Sequence, residues 1–299
     1  MSQKQNSNCI LFESGLNRPL TPEFITEIKE RVKNGAREIS LSDENEVPYK
    51  YPIDELSQIE DLEILRLCDY KLKINKFPPN LKELYTGHCF HQRIGTADTV
   101  ILPDSIEKLV FGYKFNHKIE VFPKNLKHLE FGAKYNQPLN NLPEGLEKLY
   151  LSGDFNQTLD NLPSTLKKIS MFTFYSCKFN QPLDNLPEGL EELYLDGSFN
   201  QSIDLLPVNL KILYLNNSFN LPINNLPNKL DTLAFRRNGV FNLPLTNIPD
   251  SISILKLPEN YTQEIEKLPK NLKTLEVKKN KIISQKLLEK KIKCEILFY

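Results

Sequence analysis

Residues 187–206 read PEGLEELYLDGSFNQSIDLL, and residues 207–226 read PVNLKILYLNNSFNLPINNL. Superposed, the two 20-residue stretches share Pro187/Pro207, Leu190/Leu210, Leu193/Leu213, Tyr194/Tyr214, Leu195/Leu215, Phe199/Phe219, Asn200/Asn220 and Ile203/Ile223. The apolar spacing L-x-x-L-x-L ends in period 2, which marks a short strand whose alternate side chains point to one side. One such strand cannot bury its apolar side alone. Stacked on copies of itself, it makes a parallel sheet with a continuous core behind it.

The unit extends in both directions. Pro followed three residues later by Leu or Ile recurs at Pro78, Pro103, Pro123, Pro143, Pro163, Pro187, Pro207, Pro227, Pro249 and Pro269, and six of the nine intervals are 20 residues. Apolar residues follow each Pro at +3 and +6, and usually at +8. A fixed period over this length overrules the ordinary expectation of one or two globular domains for 299 residues.

A second element follows each strand: an aromatic residue, then Asn, then Leu or Ile three places on. The asparagines are Asn116, Asn136, Asn156, Asn180, Asn200, Asn220 and Asn242. The rings are expected to stack from repeat to repeat as a spine. The amides carry donors and an acceptor, so at one level of every repeat they are expected to form a hydrogen-bonded structural ladder serving buried backbone groups. The Pro before each strand lacks an N–H and suits a segment outside the regular sheet.

These motifs resemble the FNIP repeat, named for Phe-Asn-Ile-Pro, a leucine-rich-repeat variant of amoebae and the giant viruses that infect them. The resemblance covers about Phe77 to Val277. It implies a leucine-rich-repeat-like solenoid with a curved parallel β-sheet on its concave face, a mostly irregular convex side and a role in protein interaction. Some relatives carry an N-terminal F-box, which implies the alternative of a substrate-recognition subunit of a ubiquitin ligase. The N-terminal segment here reads as one helix, not as the series of short apolar helices of an F-box.

The organisation that follows is an N-terminal cap over 1–48 with one helix and a degenerate first repeat, repeats over 49–277, and a C-terminal cap over 278–299. Thr21-Pro22 provides an N-cap and a first-turn Pro for a helix over 22–33, with Phe24, Ile25, Ile28 and Val32 on one face and Asn34-Gly35 as its stop. Ile59, Leu62, Leu65 and Leu67, and before them Ala36, Ile39 and Leu41, match the repeat positions. At the far end a helix is expected over about 284–291, then a last strand in Cys294–Tyr299. Helical caps at both ends suit terminal repeats, which must cover an exposed core.

Lys+Arg and Asp+Glu both number 38, a zero net charge that argues against nucleic acid or an anionic membrane as the main partner. Five widely spaced cysteines form no disulfide framework, and the first residues hold no signal-peptide core. The expectation is an intracellular, cytoplasmic monomer without cofactor. No phosphate loop, dinucleotide fingerprint or nucleophile elbow occurs. His88, Cys89 and His91 with Cys68 are the best soft-ligand cluster, but the spacing fits no zinc signature and His91 stands at the ladder position. No metal and no catalysis are expected.

A partner is expected on the concave face and one rim. The outward +7 position of the strands carries Tyr85, Tyr150, Tyr194 and Tyr214, and tyrosine presents a large contact area with a polar tip. Two repeats carry extra residues after the strand, bringing Phe174 and Tyr175, and Arg236 and Arg237, to the same rim. The proposed contacts are therefore Tyr150, Tyr194, Tyr214, Phe174, Tyr175, Arg236 and Arg237. A third insertion, Gly95–Val100, lies on the other side and is set aside at this stage.

Overall fold

The computed structural model describes residues 9–11, 18–41, 49–96, 98–171, 177–265, 267–278 and 294–298. The chain divides into two compact units, residues 1–146 and 147–299.

In the first unit, strands β1 (Cys9–Leu11), β2 (Glu38–Ser40), β3 (Ile64–Arg66), β4 (Glu83–Tyr85), β5 (Lys108–Val110) and β6 (His128–Glu130) pair in sequence order, all parallel. Helix α1 (Pro22–Lys33) lies between β1 and β2, and a single 3-10 turn spans Asp54–Gln58. Thr21 caps α1, its hydroxyl accepting from the Phe24 N–H at 3.3 Å, and Phe24, Ile25, Ile28 and Val32 form the buried face. The second unit holds β7 (Lys148–Tyr150), β8 (Lys168–Ser170), β9 (Glu192–Tyr194), β10 (Ile212–Leu215), β11 (Thr232–Phe235), β12 (Ile254–Lys256), β13 (Thr274–Val277) and β14 (Glu295–Phe298), again parallel and in order. The expected final strand is thus present as β14. The helix expected over 284–291 lies outside the described residues.

The register follows from the apolar pattern. The +6 residues stand side by side, Leu193 against Ile169 and Leu213, then Leu233, Leu255, Leu275 and Ile296, so every strand presents the same residue to the core. A one-residue slip would turn this column to solvent. The Pro-x-x-Leu spacing has its own cause. The Pro carbonyl accepts the N–H of the +3 residue at 3.0 Å in Pro143/Leu146, Pro187/Leu190 and Pro227/Leu230, a turn that aims the chain into the strand. The degenerate unit repeats the turn, with the Leu62 N–H on the Ile59 carbonyl.

Leu210, Leu213, Leu215, Phe219 and Ile223 of a single repeat are all buried, each contributing about 1.5–3 kcal/mol on removal from water. The aromatic spine runs through both units. Ring centroids lie 6.1 Å apart for Phe90–Phe115 and 6.2 Å for Phe115–Tyr135 in the first. In the second they lie 6.2, 6.0, 6.2, 6.1 and 6.2 Å apart from Phe155 through Phe179, Phe199, Phe219 and Phe241 to Tyr261. In the first unit the second residue after the strand is Gly at 87, 112 and 132, because the repeats touch there through backbone. A Cβ on Gly112 would stand 2.0 Å from the Gly87 carbonyl oxygen, and one on Gly132 would stand 2.2 Å from that of Gly112.

Candidate functional site

Alternation in β7–β13 turns +5 and +7 away from the core. Tyr150, Tyr194 and Tyr214 are half-buried on this outer face. The Tyr194 and Tyr214 rings stack at 6.3 Å and 29°. Tyr150 is separated from them by β8, where the small Ser170 faces its neighbours and is itself buried. Beyond Tyr214 the face continues with Ile212, Thr232, Ala234 and Ile254, all buried or half-buried. The result is a ledge of two stacked phenols beside an aliphatic floor.

Ion pairs cross this face. Lys168 Nζ lies 2.6 Å from the Glu192 carboxylate and 4.6 Å from the Tyr194 ring centre, and Lys256 lies 2.9 Å from Glu276. Burial, and then the Glu192 charge, push the Tyr194 phenol above its ordinary range. Burial does the same for Tyr214 against the opposing pull of Arg236. Both phenols are therefore neutral at physiological pH and available as donors and acceptors.

The rim differs from the sequence expectation. Phe174 and Tyr175 lie outside the described residues. Arg236 and Arg237 follow β11 as expected, but neither is a free rim cation. Arg236 reaches back across one repeat to Asp196, Nη1 to Oδ1 at 2.5 Å. The Asp196 side chain is 3% exposed, so Arg236 neutralises a buried carboxylate. Arg237 pairs with Glu259. The Asp196–Arg236 pair was missed because the partners are 40 residues apart. Its trace in the sequence is that both stand at +9, two repeats apart in one column, with Asn216 between them.

The asparagines connect consecutive repeats. Asn116 Oδ1 accepts the Asn136 N–H at 2.9 Å, Asn156 that of Asn180 at 2.9 Å, Asn180 that of Asn200 at 2.8 Å, Asn200 that of Asn220 at 2.9 Å and Asn220 that of Asn242 at 3.2 Å. Asn242 passes the pattern to the Thr262 N–H at 2.8 Å. Asn116 and Asn156 each also accept a glutamine amide, from Gln137 and Gln181, at 3.1 Å. These asparagines are half-buried or exposed, with the amide at the surface beside the buried ring.

In the first unit, His91 presents Nδ1 to the Lys114 carbonyl oxygen at 3.3 Å and stands against His117 with centroids 4.4 Å apart. His88 stacks on Tyr113 at 4.7 Å, and Cys68 Sγ lies 3.4 Å from the Ser40 hydroxyl. Among the described residues no three His, Cys, Asp or Glu side chains converge as a metal site, and no helix is long and apolar enough to cross a membrane. All five cysteines are free.

Stacked parallel strands, one per repeat, with a buried leucine column and an aromatic spine define a solenoid of the leucine-rich-repeat type. The FNIP Repeat family model matches residues 98–134, 135–173, 179–205 and 199–237. The chain therefore carries FNIP repeats at four positions within a leucine-rich-repeat-like solenoid. It is similar to the crystal structure of CroV588, described as a novel circular LRR protein, with a TM-score of 0.71 and 27% identity over 92% of this chain and 47% of that one. The chain thus spans about half the length of that relative. No curated protein sequence matches it significantly.

Proposed function

We propose that this solenoid is a non-catalytic protein-interaction scaffold that takes a protein partner on the outer face of the second unit's sheet, with Tyr194 and Tyr214 at the centre of the contact and Tyr150 flanking them. The observation that carries this reading is the stacked tyrosine pair beside Ile212, Thr232 and Ile254, set on strands whose leucine column is fully buried. Such a surface offers rigid aromatic area and phenol hydrogen bonds at little entropic cost. Ion pairs cross it, so a partner would be recognised by shape and apolar contact more than by charge. Arg237 forms the polar border of this contact, while Arg236 supports it from within. The free cysteines suit a reducing, intracellular compartment.

Affinity capture with quantitative mass spectrometry tests the reading. Wild-type protein should enrich a defined partner that a folded Tyr194→Ala/Tyr214→Ala variant loses. Equal recovery by both proteins would move the contact off this face.

A further inference from the structure

Across most of the molecule, charge is neutralised between neighbouring repeats. Lys124 lies 2.7 Å from Asp104, Lys127 2.9 Å from Glu107, Lys211 2.7 Å from Glu191 and Lys270 2.8 Å from Asp250, each pair 20 residues apart. Other exposed cations stand outside such pairs, and three of them lie close together in the first unit. Lys71 and Lys73, on the segment after β3, and Arg93, on the segment after β4, are exposed, and none of them forms a salt bridge among the described residues. Among the described carboxylates nearby, Asp98 feels the Arg93 charge, while Lys71 and Lys73 have no such neighbour, and each carboxylate holds a hydrogen bond of its own. Asp54 accepts the Asn75 and Lys76 N–H groups at 2.8 and 3.2 Å, Asp69 accepts the Cys89 N–H at 3.2 Å, and Asp98 accepts the Thr96 hydroxyl at 2.7 Å.

These cations line a groove. It consists of two adjoining hollows of about 280 and 470 Å³ that share Lys73 and Gln92 as lining residues. Lys71 and His91 line the first; Arg93 and Val100 line the second, where Asp98 is the one carboxylate among the lining residues. The floor is fixed, because the Gln92 amide accepts the Ile74 N–H and donates to the Ile74 carbonyl, both at 2.7 Å. The wall is Asp98, Thr99 and Val100, from the insertion that the sequence reading placed on the other side. This insertion closes on itself through the Gly95 N–H on the Val100 carbonyl at 2.9 Å. It is pinned to the next repeat by the Glu120 and Val121 N–H groups, both 2.8 Å from the Gly95 carbonyl. Gly95 has φ +67°, and a Cβ there would stand 2.8 Å from the Val121 carbonyl oxygen, so the contact requires glycine. Leu72 lines the groove at 41% exposure; Ile101, next to the lining residue Val100, is 60% exposed, and Val121, whose N–H bonds the Gly95 carbonyl, is 48% exposed.

A preformed groove with unmatched cations and an apolar border calls for an anionic ligand that also carries apolar groups. A small inorganic anion would leave the border exposed. A nucleic acid would need a longer basic stripe and exposed rings for stacking, whereas Tyr70 and Phe90 here are buried and the chain is neutral overall. We infer that this groove is a second interaction site, which holds an extended acidic peptide segment of a partner protein, its carboxylates on Lys73 and Arg93 and its aliphatic side chains against Leu72, Ile101 and Val121. This site is separate from the tyrosine face and does not depend on it.

Fluorescence anisotropy with a labelled ten-residue peptide of alternating Glu and Leu tests the assignment on the full chain. The peptide should bind at low salt, and Lys73→Glu/Arg93→Glu should weaken it by about tenfold or more in a protein that circular dichroism shows still folded, since both side chains are exposed. A Gln-for-Glu peptide should bind about tenfold more weakly to the wild type. Ile101→Ser/Val121→Ser should also weaken the acidic peptide, while Tyr194→Ala should leave it unchanged. The assignment is overturned if the acidic peptide does not bind, if charge reversal leaves binding intact, if Tyr194→Ala abolishes it, or if a single-stranded oligonucleotide of equal charge binds more tightly.

Discussion

Replacing Arg236 by Ala separates a binding role from a structural one. The guanidinium is the described ionic partner of Asp196, whose side chain is 3% exposed and cannot be rehydrated in place. The carboxylate also accepts the Gly197 N–H at 2.8 Å. Removing one member of a fully buried pair costs about 3–5 kcal/mol. Here the Arg236 side chain is 42% exposed, so water already screens part of the interaction, and the cost should fall to about 1–3 kcal/mol. The next repeat shows what can replace the pair. Asn216, in the same column and fully buried, donates to the Phe199 carbonyl at 3.2 Å and accepts the Ser218 and Phe219 N–H groups at 2.8 Å. A neutral amide therefore fits this level, and Asp196→Asn/Arg236→Ala should recover most of the loss. Urea denaturation followed by circular dichroism on the wild type, both single variants and the double variant gives the coupling energy. Arg236→Ala equal in stability to the wild type, or a double variant with no recovery, would refute the structural role and return Arg236 to the binding rim.

Asn156→Ala removes the acceptor for both the Asn180 N–H and the Gln181 amide, whereas Asn180→Ala removes that for the Asn200 N–H. At about 0.5–1.5 kcal/mol per half-exposed bond, denaturation should rank Asn156→Ala below Asn180→Ala in stability, with both below a control at the exposed Asn224, Asn224→Ala. Gly112→Ala forces a Cβ against the Gly87 carbonyl and should destabilise the first unit by about 1–3 kcal/mol, read as lost hydrogen-exchange protection of β4 and β5. Burial holds the His117 imidazole below the ordinary 6.5, with the neighbouring His91 and Arg93 charges acting the same way and a bond to the His91 carbonyl opposing them. The unfolded chain therefore binds this proton first, so stability should fall as pH drops through 6.5 and stop falling below the folded-state value. His117→Gln, the residue found at the matching positions 137, 157, 181 and 201, should remove that slope in melting temperature against pH.

The fold was legible because each repeat states its register locally. Pro187, Leu190, Leu193 and Leu195 specify a turn and a strand without reference to distant residues, and stacking needs only that the next 20 residues say the same. The spine was legible for the same reason, since Phe199 meets Phe179 and Phe219 by period alone. The tyrosine pairing followed once Tyr194 and Tyr214 were placed at one strand position. What escaped the sequence were contacts that skip a repeat or join unlike positions. Asp196 and Arg236 meet across an intervening strand, and Lys73, Gln92 and Arg93 form a groove only because the Gly95–Val100 insertion folds back onto Val121. The exposure of the ladder escaped too, because the repeat pattern fixes which residues align but not how deep their amides lie.

The proposal of a partner on the second unit's sheet rests most directly on Tyr194. Its half-buried ring touches Tyr214 and Lys168 on the outer face, so Tyr194→Ala should lower stability by about 1–2 kcal/mol at most and leave the protein folded. The decisive measurement is the dissociation constant of the captured partner, by calorimetry, for the wild type and for Tyr194→Ala. Loss of a central aromatic anchor should weaken binding by at least about tenfold, or 1.4 kcal/mol. An unchanged constant in a folded variant would contradict the account and place the partner elsewhere on the solenoid.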